Sequence, residues 1–380
     1  MVNHRFSTKA AVGLGLALTA APLSARAADA YLPIVVPVTG FMSVAGGSQR
    51  NGAVMAAQNA PSGLKVEAPV FDTGTSASGA ATALDKALSD KPALAASASV
   101  FGTETVAMVP VSTDYKVPLL TISGLSKLTE SGNKYVFRFL PNDREIKVAH
   151  ARYVVDTLKA KKIALIGDTT AYGQGGYNLL KEIFEKLGDK PVLAESVEPD
   201  AKDMSSVIAK IKDAGADALV IHGVDQPMAL LMKQSRAAGL DIPIVDSSSI
   251  VEPTATALFE PAELKNTCAE TASAPETRPT PEIAAWADDY KKQFNEEPDS
   301  LALGQYDAVM MTMAVIAAGA KTPEEVANAL NTTTYKGVAM TYKSSGKGDM
   351  SHNAEIVCWD GTSRIPKVVA TYSDADMILK

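Results

Sequence analysis

Residues 71–76, FDTGTS, contain the residue types most suggestive of catalysis in this sequence. An Asp-Thr-Gly run carries the catalytic aspartate of aspartic proteases, whose chemistry needs two carboxylates that share one proton. No second run of this pattern occurs, since DSSS at 246–249 and DGTS at 360–363 both depart from it. We interpret Asp72 as a strand end followed by a helix start, because short polar side chains cap free N–H groups. A protease is kept as a remote alternative.

A second motif, AYGQGG at 171–176, lies between a strand-like run at 161–168 and a helix-like run at 177–188. A glycine-rich turn before a helix can hold phosphate. This run lacks the Gly-Lys-Ser/Thr ending of a phosphate-binding loop. We interpret it as a turn that starts a helix, with Tyr172 at the rim of a cleft.

The histidines and cysteines do not form a recognisable metal site. His150, His222 and His352 are far apart, and no cysteine cluster accompanies them, so neither a metal nor another cofactor is expected. No Gly-x-Ser-x-Gly hydrolase motif occurs either. Cys268 and Cys358 are consistent with a disulfide or with two buried thiols, and the sequence leaves both open.

The N-terminal segment 1–27 has the pattern of a secretory signal peptide. Arg5 and Lys9 precede an uncharged apolar run at 10–23, and an A-x-A pattern ends at Ala27. The apolar run is shorter than the ~20 residues that cross a bilayer. We expect cleavage between residues 27 and 28 and export of the remaining chain.

The charge balance bears on the partners. The formal net charge is −7, and because the segment 1–27 carries only basic charges, the remaining chain is more acidic still. Acidic chains with scattered charges are not suited to nucleic acids or anionic membranes, so neither is expected as a partner.

Strand-like and helix-like runs alternate along most of the chain. Such a βα repeat builds a parallel sheet with helices on both faces. The segments 81–102 and 204–224 share one plan, which is an amphipathic helix, a short turn and an apolar strand. We therefore predict an α/β protein with two similar domains.

The order of these runs resembles one known family. The run IVVPVTGFMSVAGGSQRNGAVMAA at 34–57 resembles the opening of type I periplasmic binding proteins of the leucine/isoleucine/valine-binding kind, which serve ABC importers. Further matching runs follow in the family's order: VPLLTISG at 117–124, FRFLPNDREIKVAHARYVV at 137–155, KKIALIGDTTAYGQGG at 161–176, DMSSVIAKIKDAGADALVIHG at 203–223, MKQSRAAGLDIPIV at 232–245 and QYDAVMMTMAVI at 305–316.

The resemblance implies two similar lobes, each a parallel doubly wound sheet, joined by three crossover segments and closing on a small ligand. The expected division is a signal peptide at 1–27, lobe one at 28–145 plus 273–340, and lobe two at 146–272 plus 341–380. Ligands of open α/β sheets bind beyond the carboxyl ends of the strands.

The resemblance also implies site residues. In the family, loops of lobe one hold a carboxylate through backbone N–H groups and hydroxyls, and a tyrosine of lobe two faces them. The matching positions are Gly102, Thr103, Ser123, Gly124 and Tyr172.

The sequence departs from the family at two ligand positions. Amino-acid binders place an acid after a lobe-two strand to pair with the ammonium, but the matching position here is Ser248. Asp246 lies two residues earlier, and Asp225 after the previous strand could substitute. The large aromatic residue of the family's first loop is replaced by Ala45.

The resemblance implies the periplasmic solute-binding component of an ABC importer, which is not an enzyme. Its expected partners are a small ligand and a membrane permease, and it is expected to act as a monomer. The expected ligand is a hydrophobic or branched-chain amino acid. An aromatic or other small carboxylate is the alternative, because such ligands carry no ammonium and fit the missing acid.

Overall fold

The computed structural model describes residues 1–2 and 29–379. Apart from its first two residues, the predicted signal peptide lies outside the described part of the chain. The strands are, in chain order, β1 Ala30–Tyr31, β2 Ile34–Val36, β3 Val66–Glu67, β4 Val70–Asp72, β5 Ala96–Ala98, β6 Leu119–Thr121, β7 Val136–Arg138, β8 Ile163–Asp168, β9 Leu193–Val197, β10 Ala218–His222, β11 Ile244–Asp246, β12 Thr267–Thr271, β13 Thr334–Lys336, β14 Thr341–Lys343, β15 Ala354–Trp359 and β16 Lys367–Tyr372.

Helices fill most of the intervals between the strands. The α-helices are α1 Ser43–Gln58, α2 Ala77–Asp90, α3 Gly102–Tyr115, α4 Lys127–Glu130, α5 Asp143–Arg152, α6 Ala171–Leu187, α7 Ser205–Asp213, α8 Asp225–Ala237, α9 Pro253–Thr256, α10 Pro281–Phe294, α11 Ser300–Ala317 and α12 Pro323–Thr332. A π-helical turn at Tyr153–Thr157 extends α5, and short 3₁₀ turns lie at Ser248–Val251, Pro261–Leu264 and Pro275–Thr277.

Lobe one is built on a five-stranded sheet in the order β4-β2-β5-β6-β7, and all its pairs are parallel. Neighbouring residues of β2 point to opposite faces. Ile34 and Val36 pack in a core with α1 and α11, while Val35 packs with α2 and α3 on the other face. Both faces are therefore covered by helices, as the βα alternation predicts.

Lobe two is built on a seven-stranded sheet in the order β16-β15-β12-β11-β10-β8-β9. The strands from β8 to β12 pair in parallel, whereas β15 and β16 join as antiparallel strands. The hairpin-like pair at the end of the sequence is thus an antiparallel edge on a parallel sheet. The predicted fold class, two α/β lobes with mostly parallel sheets, is confirmed.

The chain passes between the two sheets at three places. It leaves lobe one after β7 and enters α5, and it leaves lobe two after β12 on its way to α10. The third crossing leads back into lobe two and comes after β14. Strand β14 pairs with β13, and Asp349 then forms a bridge with Arg138 of β7.

One element behaves differently from the sequence expectation. The predicted turn at 171–176 is already helical, because Thr170 caps α6 by accepting a hydrogen bond from the N–H of Gly173 at 3.0 Å. Its glycines permit close packing rather than a turn. A Cβ on Gly176 would lie 2.1 Å from the imidazole Nε2 of His222. Helix α11 is long and apolar enough to span a membrane by composition, but 72% of it is buried within the protein.

Candidate functional site

In lobe one, the predicted residues lie at the carboxyl ends of β5 and β6. Gly102 begins α3, and a Cβ at this position would lie 3.2 Å from the hydroxyl oxygen of Ser123. A larger residue at position 102 would require Leu125 and Ser123 to shift by a few tenths of an ångström. The structure brings Gly102, Ser123 and Gly124 together, and Thr103 lies beside them on the exposed first turn of the helix.

The N-terminus of α3 is suited to an anion. The capping residue, Phe101, has no side chain that accepts from the helix. The first N–H groups of a helix, here those of Gly102 and Thr103, have no partner within the helix and carry the positive end of its dipole. Ser123 contributes a buried hydroxyl at the next strand end. This arrangement can hold a carboxylate.

In lobe two, Tyr172 lies in the first turn of α6. Its ring is 43% exposed and packs against His222, with the ring centroids 4.5 Å apart. Burial of the hydroxyl end, with Glu270 and Asp143 nearby, raises the pKa of the phenol, so Tyr172 stays protonated and able to donate. Asp143 also donates its backbone N–H to the carbonyl oxygen of Gly124 at 2.7 Å.

A buried aspartate fixes the loops on either side of Tyr172. Asp168 ends β8 and accepts the backbone N–H of Thr170 at 2.8 Å and that of Val224 at 2.6 Å. Gly173 and Gly223 both pack against its carboxylate. The loops after β8 and β10 are thus held in one arrangement by a single side chain.

Asp225, which is half-buried, and the buried Asp246 lie close together, and the cavity that they share is small. With Ser249 and Phe259 they line a cavity of about 10 Å³, a volume that suits no more than a water molecule. Asp246 is 2% exposed and accepts the N–H of Ser247 at 2.6 Å. Burial raises the pKa of both carboxyls, and Glu270 and Asp225 add to the effect on Asp246.

Ser248 follows β11, at the position where the family has an acid. Its backbone N–H donates to the carboxylate of Glu270 at 3.2 Å. Glu270 is fully buried on β12 and also pairs with Lys147 and His150 of α5. Burial opposes ionisation of Glu270, but Lys147, His150 and their hydrogen bonds outweigh it and lower its pKa. Glu270 is therefore an anion that fixes the loop carrying Ser248.

Sequence reasoning missed Glu252, four residues after Ser248 in the same loop. Burial, with Asp299 and Asp225 nearby, raises the pKa of Glu252 to about 8. Asp299 belongs to lobe one, where its carboxylate caps α11 and accepts the hydroxyl of Ser48 at 2.5 Å. The sequence predicts that the loop after β11 lines the site, but it gives no local sign that Glu252, further along this loop, belongs to it.

An aromatic pair was also missed. Phe41, in the loop after β2, is 76% exposed and packs edge-on against Phe101, with the ring centroids 5.5 Å apart. The two rings lie at the carboxyl ends of neighbouring strands, beside the N-terminus of α3. Ala45, where the family's aromatic is absent, is buried in α1. The first loop thus carries an aromatic side chain at another position.

Asp72 has a structural role. Its carboxylate accepts the N–H groups of Val38 at 3.0 Å and Gly74 at 2.9 Å and the hydroxyl of Thr39 at 2.5 Å. Ser76 caps α2 by accepting the N–H of Gly79 at 3.1 Å. The strand end and helix start expected at FDTGTS are confirmed, and the α/β fold differs from that of a pepsin-like protease.

Within residues 29–379, no group of three or more histidine, cysteine or acidic side chains is arranged to hold a metal ion. Cys268 and Cys358, whose state the sequence left open, form a disulfide between β12 and β15.

The fold and site define a class of protein: two α/β lobes with polar loops at facing sheet edges, which is the architecture of a two-lobed solute-binding protein. A family model described as periplasmic binding protein matches residues 30–363. The chain belongs to this periplasmic binding protein family.

Known relatives give the comparison more detail. The chain is 26% identical over 324 residues to the leucine-, isoleucine-, valine-, threonine- and alanine-binding protein of Pseudomonas aeruginosa. The alignment covers 83% of this chain and 86% of that protein. The branched-chain amino acid transporter substrate-binding protein of Streptococcus pneumoniae, solved with isoleucine, is similar at a TM-score of 0.78 and 22% identity, over 90% of this chain and 99% of that one. A solute-binding protein of R. palustris solved with benzoate is similar at a TM-score of 0.76 and 16% identity. The similarity covers 90% of this chain and 96% of that one.

Proposed function

We propose that the protein is the periplasmic solute-binding component of an ABC importer and binds a hydrophobic or branched-chain amino acid between its lobes. One observation carries this proposal: the N-terminus of α3 in lobe one has no side-chain cap and lies beside the buried hydroxyl of Ser123, an arrangement that can hold the carboxylate of an amino acid. The names of the P. aeruginosa and S. pneumoniae relatives support the same ligand class.

In this proposal, lobe one binds the ligand's carboxylate. The N–H groups of Gly102 and Thr103 and the hydroxyl of Ser123 are the donors, and Gly124 lines the same loop. Tyr172 contacts the ligand from lobe two after closure. Asp225, Asp246 and Ser248, the other expected site residues, lie at or after the ends of β10 and β11 and shape that side of the cleft.

The mechanism is hinge closure, in which a ligand held by one lobe stabilises the closed form through contacts with the other. A micromolar Kd corresponds to about −8 kcal/mol, which one carboxylate clamp and a modest apolar contact can supply. The closed form then docks on a membrane permease. The protein performs no chemistry on its ligand, needs no cofactor, is exported through its signal peptide and acts as a monomer.

We also propose lobe boundaries close to the expected ones, with one change. The segment 341–350 belongs with lobe one, because β14 pairs with β13 and Asp349 bridges to Arg138. The third crossover would then lie at residues 351–353 instead of near residue 340.

An aromatic or other small carboxylate is the second candidate ligand. Two observations favour it: Ser248 replaces the family's acid, and the R. palustris relative was solved with benzoate. In this case the clamp of lobe one would act alone and no ammonium partner would be needed.

A thermal-shift screen tests the proposal. Residues 28–380 are stripped of ligand by unfolding and refolding, and the panel contains the twenty amino acids beside benzoates, cinnamates and short aliphatic acids. A ligand at one hundred times its Kd adds about 2.7 kcal/mol of stability. We expect leucine, isoleucine or valine to raise Tm. A panel without any shift would contradict the solute-binding proposal.

A further inference from the structure

The guanidinium of Arg138 contacts the loop that carries Ser123 and Gly124. Arg138 ends β7, and its side chain is fully buried. Its Nη1 donates to the carbonyl oxygen of Ser123 at 3.3 Å and to that of Leu125 at 2.8 Å, the residues on either side of Gly124. One nitrogen of Arg138 therefore holds both ends of this loop, residues 123–125, which we call the clamp loop.

The middle residue of the clamp loop is also held from the first crossover. The carbonyl oxygen of Gly124 accepts the backbone N–H of Asp143 at 2.7 Å. All the carbonyl oxygens of the clamp loop are thus bonded to residues of β7 and of the start of α5. Among the described residues, none accepts the N–H of Gly124, which is half-buried beside the hydroxyl of Ser123. The donors of the clamp loop therefore remain available to a ligand.

The other nitrogens of Arg138 bind residues outside the clamp loop. Nε donates to the carboxylate of Asp349 at 2.7 Å, and Nη2 lies 2.6 Å from the same carboxylate. Nη2 also donates to the hydroxyl of Thr129 at 2.6 Å. Because the guanidinium is a rigid planar fork and each of its nitrogens has a partner, Arg138 cannot turn without breaking several of these bonds.

Asp349 connects Arg138 with the segment that leads into the third crossover. The next residue, Met350, donates its backbone N–H to the carbonyl oxygen of Arg138 at 3.1 Å. Two residues further, Nε2 of His352 lies 2.9 Å from the carbonyl oxygen of Phe139. The first and third crossovers therefore lie against each other at Arg138, the residue that holds the clamp loop.

We propose that Arg138 is the positioning residue of the clamp loop, and that its ion pair with Asp349 couples carboxylate binding to the segment that leads into the third crossover. The inference rests on the proposed function, because the clamp loop must receive a carboxylate. Arg138 is buried and does not touch the ligand. It turns the carbonyl oxygens of the clamp loop toward itself, so the hydroxyl of Ser123 and the N–H of Gly124 meet the carboxylate without competing lone pairs.

Removal of the charge of Asp349 separates positioning from simple electrostatics. Asp349→Asn removes an acid from the neighbourhood of the clamp loop, and this change alone should favour a bound carboxylate. The same variant deprives Arg138 of its charged partner, which should loosen the clamp loop and weaken binding. The two effects have opposite signs, so the direction of the change in affinity distinguishes them.

The first experiment is calorimetric titration with leucine and with benzoate. Two variants free Arg138 from different partners: Asp349→Asn removes the charged partner, and Thr129→Val removes the hydroxyl acceptor without changing any charge. Glu297→Gln is the matched control, because its side chain is 29% exposed against 26% for Asp349 and its ion pair with Arg278 contacts no residue of the clamp loop. Thermal melts of all four proteins verify folding.

We expect whichever of the two carboxylates binds wild type to bind Asp349→Asn and Thr129→Val roughly 2- to 30-fold more weakly, the range for coupling through a network of side chains. Glu297→Gln should bind it as tightly as wild type. A merely structural role of Arg138 would lower Tm and leave the Kd of the folded protein unchanged.

Equal or tighter binding to Asp349→Asn or to Thr129→Val overturns the inference and leaves the proposed function intact. If wild type binds neither carboxylate, nor any other member of the screening panel, the proposed function itself fails.

Hydrogen exchange in the ligand-free protein provides a second measurement, which needs no known ligand. The backbone N–H of Ser123 donates to the hydroxyl of Thr121 at 3.0 Å, so its exchange rate reports on the clamp loop. In Asp349→Asn and Thr129→Val this amide should exchange several-fold faster than in wild type, whereas the amides of β10 in lobe two should keep their wild-type rates. Unchanged exchange at Ser123 would contradict the role of Arg138. So would equally faster exchange in β10, since that indicates a general loss of stability.

Discussion

The backbone N–H of Ser248 donates to the buried carboxylate of Glu270 at 3.2 Å. The residue that stands in the family's acidic position is therefore itself held by an acid on the next strand. Glu270 belongs to β12, and its two basic partners, Lys147 and His150, belong to α5 at the first crossover. One carboxylate thus connects the crossover helix with the cleft loop of lobe two.

We expect Glu270→Gln to destabilise the protein by about 3–5 kcal/mol, because it leaves the charge of Lys147 buried without its partner. The free energy of unfolding measured in urea tests this. The double variant Glu270→Gln, Lys147→Met removes both charges and should recover much of the loss. A loss below about 1 kcal/mol in the single variant would show that Lys147 finds water or another acid.

The α/β fold could be predicted from the sequence, whereas the pairing of Lys147 with Glu270 could not. Alternating apolar and amphipathic runs predict the two α/β lobes, because burial on both faces of a parallel sheet imposes that pattern locally. Lys147 and Glu270 are 123 residues apart and meet only in the folded chain. Neither residue belongs to a motif, so their pairing has no local signature.

Within the site, the prediction depended on where each residue lies relative to a strand end. Gly102, Ser123 and Tyr172 lie two to four residues after strand ends, and the strands could be located from their apolar runs. Glu252 lies beyond a 3₁₀ turn, and Phe41 lies several residues after β2. The path of a loop after its first residues is set by tertiary packing, which the pattern of a single sequence does not contain.

Tyr172 should contribute to affinity through both its ring and its hydroxyl. Tyr172→Phe removes one hydrogen-bond donor and should weaken amino-acid binding by about 1 kcal/mol, roughly fivefold. Tyr172→Ala also removes the ring and should cost about 2 kcal/mol or more. Calorimetric Kd values for the ligand found by screening test this order. Tyr115→Phe, at an exposed site on α3, is the matched control and should bind as wild type.

Phe41 should contact the apolar part of the ligand. The side chain is 76% exposed without ligand, so Phe41→Ala should leave the free energy of unfolding nearly unchanged. It should weaken binding of leucine or phenylalanine by about 1 kcal/mol, the scale of an aromatic contact. Val192→Ala, at an exposed site just before β9 in lobe two, is the control. Unchanged affinity in Phe41→Ala would place the ligand away from the Phe41–Phe101 pair.

The disulfide should stabilise lobe two. Cys268 and Cys358 lie opposite each other on β12 and β15 and are 90 residues apart in sequence. Closing a long loop restricts the unfolded chain, so replacing both cysteines with serine should cost about 2–4 kcal/mol. Thermal melts of the oxidised, reduced and double-serine proteins test this. The reduced and double-serine proteins should melt at similar, lower temperatures, and free thiols detected in the oxidised native protein would contradict the pairing.

Glu276 should make stability fall as pH rises. Burial, with Asp299 and Glu355 nearby, raises the pKa of Glu276 from its ordinary 4.5 to about 8 in the folded protein. Between these values the unfolded chain releases a proton that the folded protein retains, so the favourable contribution present at low pH is progressively lost. Glu276→Gln cannot ionise and should remove this dependence.

The variant and the wild type should therefore be about equally stable at pH 4.5, whereas at pH 8 the variant should be more stable by a few kcal/mol, since each pKa unit corresponds to ~1.4 kcal/mol. Urea denaturation at both pH values gives the difference directly. The lowered pKa of His352, about 4, also reduces stability as pH falls below 6.5. Because His352 is present in both proteins, its contribution cancels when the free energy of unfolding of wild type is subtracted from that of the variant. A variant that is destabilised equally at both pH values would mean that Glu276 is ionised and held by a cation.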